Sequence, residues 1–346
     1  MARFERVKLA PAEWGRTLST FPDAIVYQSP AWLSFLAETQ KGEPVLAVLK
    51  EGDQTLGYFS GLMVRRLGLK ILGSPFRAWT CPYMGLNLLP TVPRRVAAAA
   101  LPAFAFRELR CHHFEMVDSR MTLEDVDGLD LNQEPRASYV MDLTQSEETL
   151  LANMNSYRRR DIRRAEKHRV IIEEAQDQEF AVEFSEQLKD VFAKQGLVPT
   201  FGVERVRALV RHLAPTGMLL RLRARDPEGH CIATGVYLGM QSAAFYWGGA
   251  SWRQYQNLHP NELLQWYAMR YWKKRGLKTY DLVGTMDFKA RFGGSQITIS
   301  MISKSKYRFL ALLRTWAPAV FKTGSRLVWK AKRLARGTLH RCGDKL

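Results

Sequence analysis

The feature that most restricts this chain is an order of elements that can be read twice. Hydrophobic periodicity predicts helices at about 11–20 and 29–39, then alternating strands at 44–50 and 55–66 joined by the turn Glu51-Gly52-Asp53-Gln54. Strands near 69–73 and 79–88, an alanine-rich helix at 93–109 and a strand at 112–118 complete the first pass. The segment 119–136, rich in Asp, Gly, Asn and Pro, reads as a linker. The second pass opens with a strand near 137–143 and a basic helix over about 149–168, then a strand at 170–174 and helices near 178–195 and 203–215. Strands follow at 218–225, 231–239 and 243–249, with a hairpin turn at Arg225-Asp226-Pro227-Glu228-Gly229-His230. A helix at 260–275 and a strand at 278–284 end it. The halves share negligible sequence identity, so what repeats is architecture. A meander combined with a crossover helix means an α+β layered fold, with a mixed sheet flanked by helices in each half.

Length and composition agree with two such units. The chain has 346 residues, 46% of them hydrophobic and 25% charged, which excludes disordered, fibrous and disulfide-framed classes. There is no run of 18 apolar residues and no hydrophobic stretch after Met1 to serve as a secretory signal, so the expected location is the cytoplasm. The domains expected are 1–136, 137–306 and a basic C-terminal helical tail, 307–346. Cys81, Cys111, Cys231 and Cys342 stand alone in sequence. His112 and His113 point to opposite faces of a strand, so no metal site is expected.

Charge is the next constraint. The formal net charge is +17, and two segments supply most of it. Residues 307–346 hold ten Lys or Arg against one acid, Asp344. Residues 156–170 hold seven, from Arg158 to Arg169, against Asp161 and Glu166. Such clusters attract phosphate-bearing substrates, RNA or an anionic membrane, or they are simply solvated helix faces. In the tail, Phe309, Leu310, Leu313, Trp316, Val320 and Phe321 recur at helical spacing ahead of a basic stretch, which suits a helix lying on an anionic inner-membrane surface.

Three constellations could carry chemistry. On a single helix over 149–168, Leu151, Met154, Ile162 and Ala165 form one apolar arc with Arg158 inside it and Asn155 at its edge. A guanidinium there must meet an acid or a ligand anion, so Arg158 is either a structural ion pair or a phosphate or carboxylate contact. The second is Tyr246-Trp247-Gly248-Gly249-Ala250 at a strand end, followed by His259-Pro260-Asn261-Glu262 opening a helix. Gly248 and Gly249 let a ligand approach the backbone, whose N–H groups can face an acyl oxygen. The third is Phe288-Lys289-Ala290-Arg291-Phe292-Gly293-Gly294, where two aromatic anchors leave Lys289 and Arg291 directed elsewhere as anion contacts.

These stretches resemble a known family. The segment from Asn155 to Lys167, Tyr246 to Ala250, Leu258 to Leu264, Tyr280 to Gly284 and Phe288 to Gly294 occur in the order seen in Fem-type proteins. Those are the peptidoglycan interpeptide-bridge aminoacyltransferases and their acyltransferase relatives. The resemblance spans about 145–305 and implies tandem GNAT-like domains that pass an acyl or aminoacyl group to an amine. It implies Lys289 and Arg158 near the substrate cleft; Tyr246, Asn155, Asn261 and Arg291 are the further substrate contacts expected. No tightly bound cofactor is implied; the acyl donor is a co-substrate, either aminoacyl-tRNA or acyl-CoA. Two departures bear on that choice: no long heptad stretch provides the tRNA-binding hairpin of some members, and Ser251–Pro260 lacks the glycine loop with which ordinary GNAT proteins hold CoA. The function expected is N-acyl transfer to an amine of a phosphate-bearing cell-envelope or exopolysaccharide precursor, catalysed through Lys289 and the Gly248–Gly249 backbone. tRNA becomes a partner if it carries the donor. The alternative is a non-catalytic basic module bound to membrane or RNA.

Overall fold

The computed structural model describes residues 1–76, 80–194 and 196–307. The expected tail, 307–346, lies outside them beyond its first residue. The first half runs β1 (Arg3–Val7), α1 (Pro11–Ser19), α2 (Pro30–Gln40), β2 (Glu43–Glu51), β3 (Gln54–Arg66), β4 (Leu69–Ser74), β5 (Leu86–Leu88), α3 (Arg94–Ala103) and β6 (His113–Asp118). The second runs β7 (Asn132–Asp142), α4 (Glu147–Asn153), α5 (Ser156–Lys167), β8 (Ile171–Glu174), α6 (Phe180–Lys194) and α7 (Val203–Leu213). It continues with β9 (Leu219–Arg225), β10 (Cys231–Met240), β11 (Ala243–Ser251), α8 (Pro260–Lys274), β12 (Thr279–Asp281), α9 (Asp287–Ala290) and β13 (Ser295–Ser305).

One sheet runs through both halves in the order β1-β2-β3-β4-β6-β13-β7-β12-β11-β10-β9-β8, with β5 beside β3. Among the described residues only two of its pairings are parallel, β4 with β6 and β11 with β12, one in each half and each spanned by a helical crossover. This is the repeat read from sequence, and the tandem α+β fold is as expected. The last strand belongs to neither half alone: β13 pairs with β6 over Ser300–Ser305 and with β7 over Ser295–Ser303.

Several elements differ from expectation for local reasons. The basic segment is two helices. Ser146 caps α4, the chain turns extended at Met154 and Asn155, and the Asn155 side chain caps α5. Strand β7 begins at Asn132, inside the segment read as linker, because β13 supplies a partner that no local pattern announces. Of the span 79–88 only Leu86–Leu88 is strand. Strand β1, at the sheet edge, has no turn signal before it.

The helices divide between the two faces. α1 and α2 share one buried cluster with α6 and α7, so Trp14, Trp32 and Phe35 of the first half pack with Phe184, Leu209 and Trp247 of the second. The opposite face is covered separately, by α3 in the first half and by α5 and α8 in the second. The halves are thus joined through one apolar layer as well as through the sheet. Among the described residues, no helix is long and apolar enough to cross a membrane.

Candidate active site

The site forms where β11 and β12 part. They are paired only from Ala243 to Phe245, opposite Thr279 to Asp281. Beyond that point β11 continues to Ser251 against β10 alone, past the strand end read from sequence, while the chain after Asp281 turns away. A fork opens between them, and one side of β11 faces it without a neighbouring strand. Trp247 is an extra residue in this strand, since Val236 pairs with Gly248 and Tyr237 with Tyr246, and such bulges re-aim the backbone beside a site.

The ladder decides which glycine faces the fork. The Trp252 N–H donates to Ile232 O at 3.0 Å. Counting back along an antiparallel ladder, Gly248 then bonds to β10 opposite Val236, and Gly249 turns its N–H away from β10. Of the two expected oxyanion donors, Gly249 is the one presented, and Gly248 is committed to the sheet. Gly249 also needs its glycine, because a Cβ there would sit 2.8 Å from the Tyr246 hydroxyl and 3.1 Å from Thr234 O. A Cβ on Gly248 would meet only Phe184, at 3.6 Å.

Lys289 closes the fork. It stands on the one-turn helix α9, its ammonium donates to Val283 O, and its Nζ lies 5.5 Å from the centre of the Tyr246 ring. It therefore bridges the two parting strands. Burial pulls its pKa below the ordinary lysine value, partly opposed by the charge of Asp281. Tyr246 is held above the usual phenol range by burial, so its hydroxyl keeps its proton at neutral pH. Lys289, Tyr246 and Gly249 are the expected site residues that the fold brings together.

The opposite wall is built on Asp281, which is 2% exposed. Its carboxylate accepts from the Ser138 hydroxyl, from Val283 N at 2.6 Å and from the Tyr83 hydroxyl at 3.0 Å. Ser138 Oγ also accepts from Gly284 N at 2.9 Å. Desolvation raises the Asp281 pKa against these donors. The carboxylate fixes the turn that carries Val283 and Gly284, at φ 58 and 97, and ties it to the first half through Tyr83. Neither Ser138 nor Tyr83 was foreseen. Tyr83 lies 198 residues from Asp281 in sequence, and no local pattern signals such a pair.

The remaining expected contacts have protein partners in this fold. Arg158 is 3% exposed and surrounded by protein: its guanidinium bonds Glu262, donates to Phe288 O at 3.2 Å and lies 4.6 and 4.7 Å from the Phe288 and Phe292 ring centres. Asp161, His259 and Glu262 bring their side-chain donor atoms within 4.8 Å of one another, and Arg158 is the cation beside them, bonded to Glu262 and 3.9 Å from Asp161. Asn155 caps α5 through a 2.8 Å bond from Arg158 N, and its own N–H donates to Arg291 O at 3.1 Å. The Arg291 side chain is exposed. Asn261 donates to Ser251 Oγ at 2.9 Å, tying α8 to the end of β11. Arg158, Asn155 and the Arg291 carbonyl thus form a clamp around α9. What they position is Lys289.

A bulged strand parting from a parallel neighbour, with a crossover helix between them and a donor-lined fork, defines the GNAT class of acyltransferases. Residues 153–290 match the family model described as an acetyltransferase (GNAT) domain. That segment has the fold of a GNAT acyltransferase domain, and the tandem arrangement around it is similar in fold to that of FemX. The fold is similar to the crystal structure of FemX, with a TM-score of 0.70 at 13% identity over 86% of this chain and 96% of that one. It is also similar to a tandem GNAT protein from the clavulanic acid biosynthesis pathway (TM-score 0.53, 10% identity, 88% and 98% covered). A third similar structure is the C-terminal domain of a putative lysylphosphatidylglycerol synthetase from Agrobacterium fabrum (TM-score 0.52, 12% identity, 90% and 97% covered). No curated protein sequence matches the chain.

Proposed function

We propose that this acyltransferase moves an acyl group from an activated donor to the amine of a cell-envelope or exopolysaccharide precursor, with the fork between β11 and β12 as its reaction centre. The observation that carries the reading is the convergence of Lys289, Tyr246 and the free side of Gly249 where the strands part. An amine attacking an ester or thioester carbonyl generates an oxyanion. The Gly249 N–H and the Lys289 ammonium are the donors available to it, in a setting where burial strengthens each contact. The Tyr246 hydroxyl, next to Gly249, gives its proton to the departing thiolate or ribose oxygen and regains one from the attacking nitrogen as the amide forms. Arg158 acts through α9, holding Lys289 in place.

The donor we favour is an acyl-CoA, the co-substrate of GNAT domains. The N-terminus of α8 starts beside the end of β11, and no side chain among the described residues caps it, so its first N–H groups are offered to donor phosphates. The FemX and lysylphosphatidylglycerol synthetase likenesses support an envelope acceptor and keep aminoacyl-tRNA as the second donor to test. The basic segment 307–346 is proposed to hold the enzyme at the inner face of an anionic membrane. The deciding experiment incubates purified protein with acetyl-CoA, or with aminoacylated tRNA, and amine acceptors, reading transfer by mass spectrometry. Transfer from neither donor, with anionic-vesicle binding intact, would overturn the enzyme reading in favour of a binding module.

A further inference from the structure

Strand β9 carries two arginines, Arg221 and Arg223, on the face that α6 covers, since residues two apart share a side and both guanidiniums lie by the Phe180 ring. Both are buried, at 6% and 2% exposure. Their partners differ. Arg223 is answered by carboxylates: Asp177 takes its two Nη atoms at 2.5 and 2.6 Å, Glu183 accepts from its Nε at 2.5 Å, and Glu173 accepts at 3.1 Å. Arg221 meets main-chain oxygens instead, Asp177 O at 3.0 Å and Gln176 O at 3.1 Å, and no carboxylate of the described residues is at ion-pair distance from it. The residues outside the described ones include a single acidic side chain, Asp344. Carbonyl dipoles compensate only part of a buried cation, which leaves Arg221 suited to an anion.

There is room for one. Arg221 lines a cavity of about 340 Å³ bounded by the start of α6, by α7 and by β9, a volume within the range of small-ligand sites. Arg207 and Arg211, one turn apart on α7, line the same cavity, and Ala181 and Val210 give it apolar walls. Among the described residues Asp177 is the only acid lining it, and both of its oxygens are engaged, by the Arg223 fork and by the N–H groups of Glu179 and Phe180. Arg207 and Arg211 are held at the surface by Glu204, at 2.6 Å, and by Glu38. Exposed pairs of this kind contribute little, so a ligand displaces them at small cost. Three guanidiniums facing one cavity exceed what a carboxylate needs, which a single guanidinium fork saturates, and match a doubly charged oxyanion.

We propose that this cavity is a phosphomonoester site, with Arg221 engaging the phosphate from the sheet side, Arg207 and Arg211 from α7, and Ala181 and Val210 against the body of the ester. A phosphomonoester carries close to two charges at neutral pH and three acceptor oxygens, one for each guanidinium. The site is on the same row of the sheet as the fork but two strands away, because Arg221 pairs with Val236 and Val236 with Gly248. It requires neither donor nor transfer, and so stands apart from the acyltransferase reading.

The test is a binding measurement without donor or acceptor. Phenyl phosphate, inorganic phosphate and phenylacetate are titrated into the full chain by calorimetry at fixed ionic strength. Phenyl phosphate should bind about tenfold tighter than phenylacetate and tighter than inorganic phosphate, and its affinity should fall between about pH 7.5 and about pH 5, where phosphate takes up its second proton. Arg221→Met should weaken it about tenfold or more, and Arg207→Ala and Arg211→Ala about threefold or more each. Arg163→Ala, an exposed arginine on α5, should leave it unchanged. Val210→Phe fills the cavity without altering its charge and should abolish binding; it decides if Arg221→Met does not fold. The proposal is overturned if phenylacetate or inorganic phosphate binds as tightly as phenyl phosphate, if binding survives Val210→Phe, or if Arg163→Ala weakens it as much as the cavity arginines do. Phosphate binding without turnover would remove the enzymatic reading and leave the site standing; transfer to amines without phosphate binding would do the reverse.

Discussion

Removing Arg158 while leaving its neighbours tests whether the basic helix is a binding face or a mount. Arg158→Met keeps the apolar stem and deletes the guanidinium. The change leaves Glu262, whose side chain is 14% exposed, without its ion partner, and it leaves Phe288 O without its 3.2 Å donor. It also removes the cation from between two phenylalanine rings. Breaking one side of a buried pair costs about 3–5 kcal/mol, because the remaining charge stays buried. Glu262 keeps some solvent, so a loss near 3 kcal/mol is expected, a large part of a total stability of roughly 5–15 kcal/mol. Arg160 and Lys167 are exposed on the same helix, and Arg160→Ala and Lys167→Ala should each stay within about 0.5 kcal/mol of wild type. Adding Glu262→Gln to Arg158→Met should recover about 1–3 kcal/mol, because the orphaned charge is then gone. Urea unfolding followed by circular dichroism and tryptophan fluorescence, with slopes compared to confirm a common transition, gives all four values. A loss below about 1 kcal/mol in Arg158→Met, or equal losses at all three positions, would refute the clamp.

The remaining predictions concern the fork and the chain around it. Lys289→Ala should lower transfer at least about tenfold with the melting temperature little changed, since a charge-assisted contact of about 1.5–3 kcal/mol is lost; wild-type turnover would remove Lys289 from the site. Burial lowers the Lys289 pKa, so the active ammonium is lost as pH rises at values below those of an ordinary lysine. The alkaline limb of kcat/KM should therefore move upward in Lys289→Arg, and an unmoved limb would assign it elsewhere. For stability the sign is opposite: the unfolded chain keeps this proton longer, so Lys289 makes the fold more stable as pH rises through its folded value toward 10.5, a slope that Lys289→Met should remove. Gly293→Ala should cost more than about 2 kcal/mol in urea unfolding, because its φ is +79 and a Cβ would collide with Asn153 O; a near-neutral result would mean that the crossing of α4 and α9 relaxes freely. Phosphatidylglycerol vesicles should float the full chain at low salt and not a chain ending at Gly324, and equal flotation of both would discard the membrane role of the tail.

Much of the fold was legible because its elements are strongly periodic and cleanly punctuated. Helices α2, α7 and α8 and strands β2, β3 and β10 fall where apolar spacing and turn residues put them. The helix break at Met154 and Asn155 was hidden for an instructive reason: Leu151, Ile162 and Ala165 keep one helical phase across the gap, so the pattern reads as continuous while Asn155 restarts the helix as a cap. That hidden cap also blurred Arg158, whose burial follows from its spacing but whose partners, Glu262 and Phe288, depend on tertiary contacts more than 100 residues away. Lys289 was readable from its two aromatic anchors. The choice between Gly248 and Gly249 was not, because it turns on ladder parity set by a bulge at Trp247, and a one-residue insertion leaves no compositional trace.

Strand β13 has a consequence for how the molecule comes into being. During synthesis the first half can form its helices and its hairpins, but the free edge of β6 stays open until residues 295–305 have emerged, and the edge of β7 waits for the same strand. Pairings of such long sequence separation close slowly, and exposed strand edges are where nascent chains associate wrongly. Both halves therefore mature together, late, and through one shared segment. A chaperone acting on this chain would be needed most in the interval when β6 and β7 are made and β13 is not.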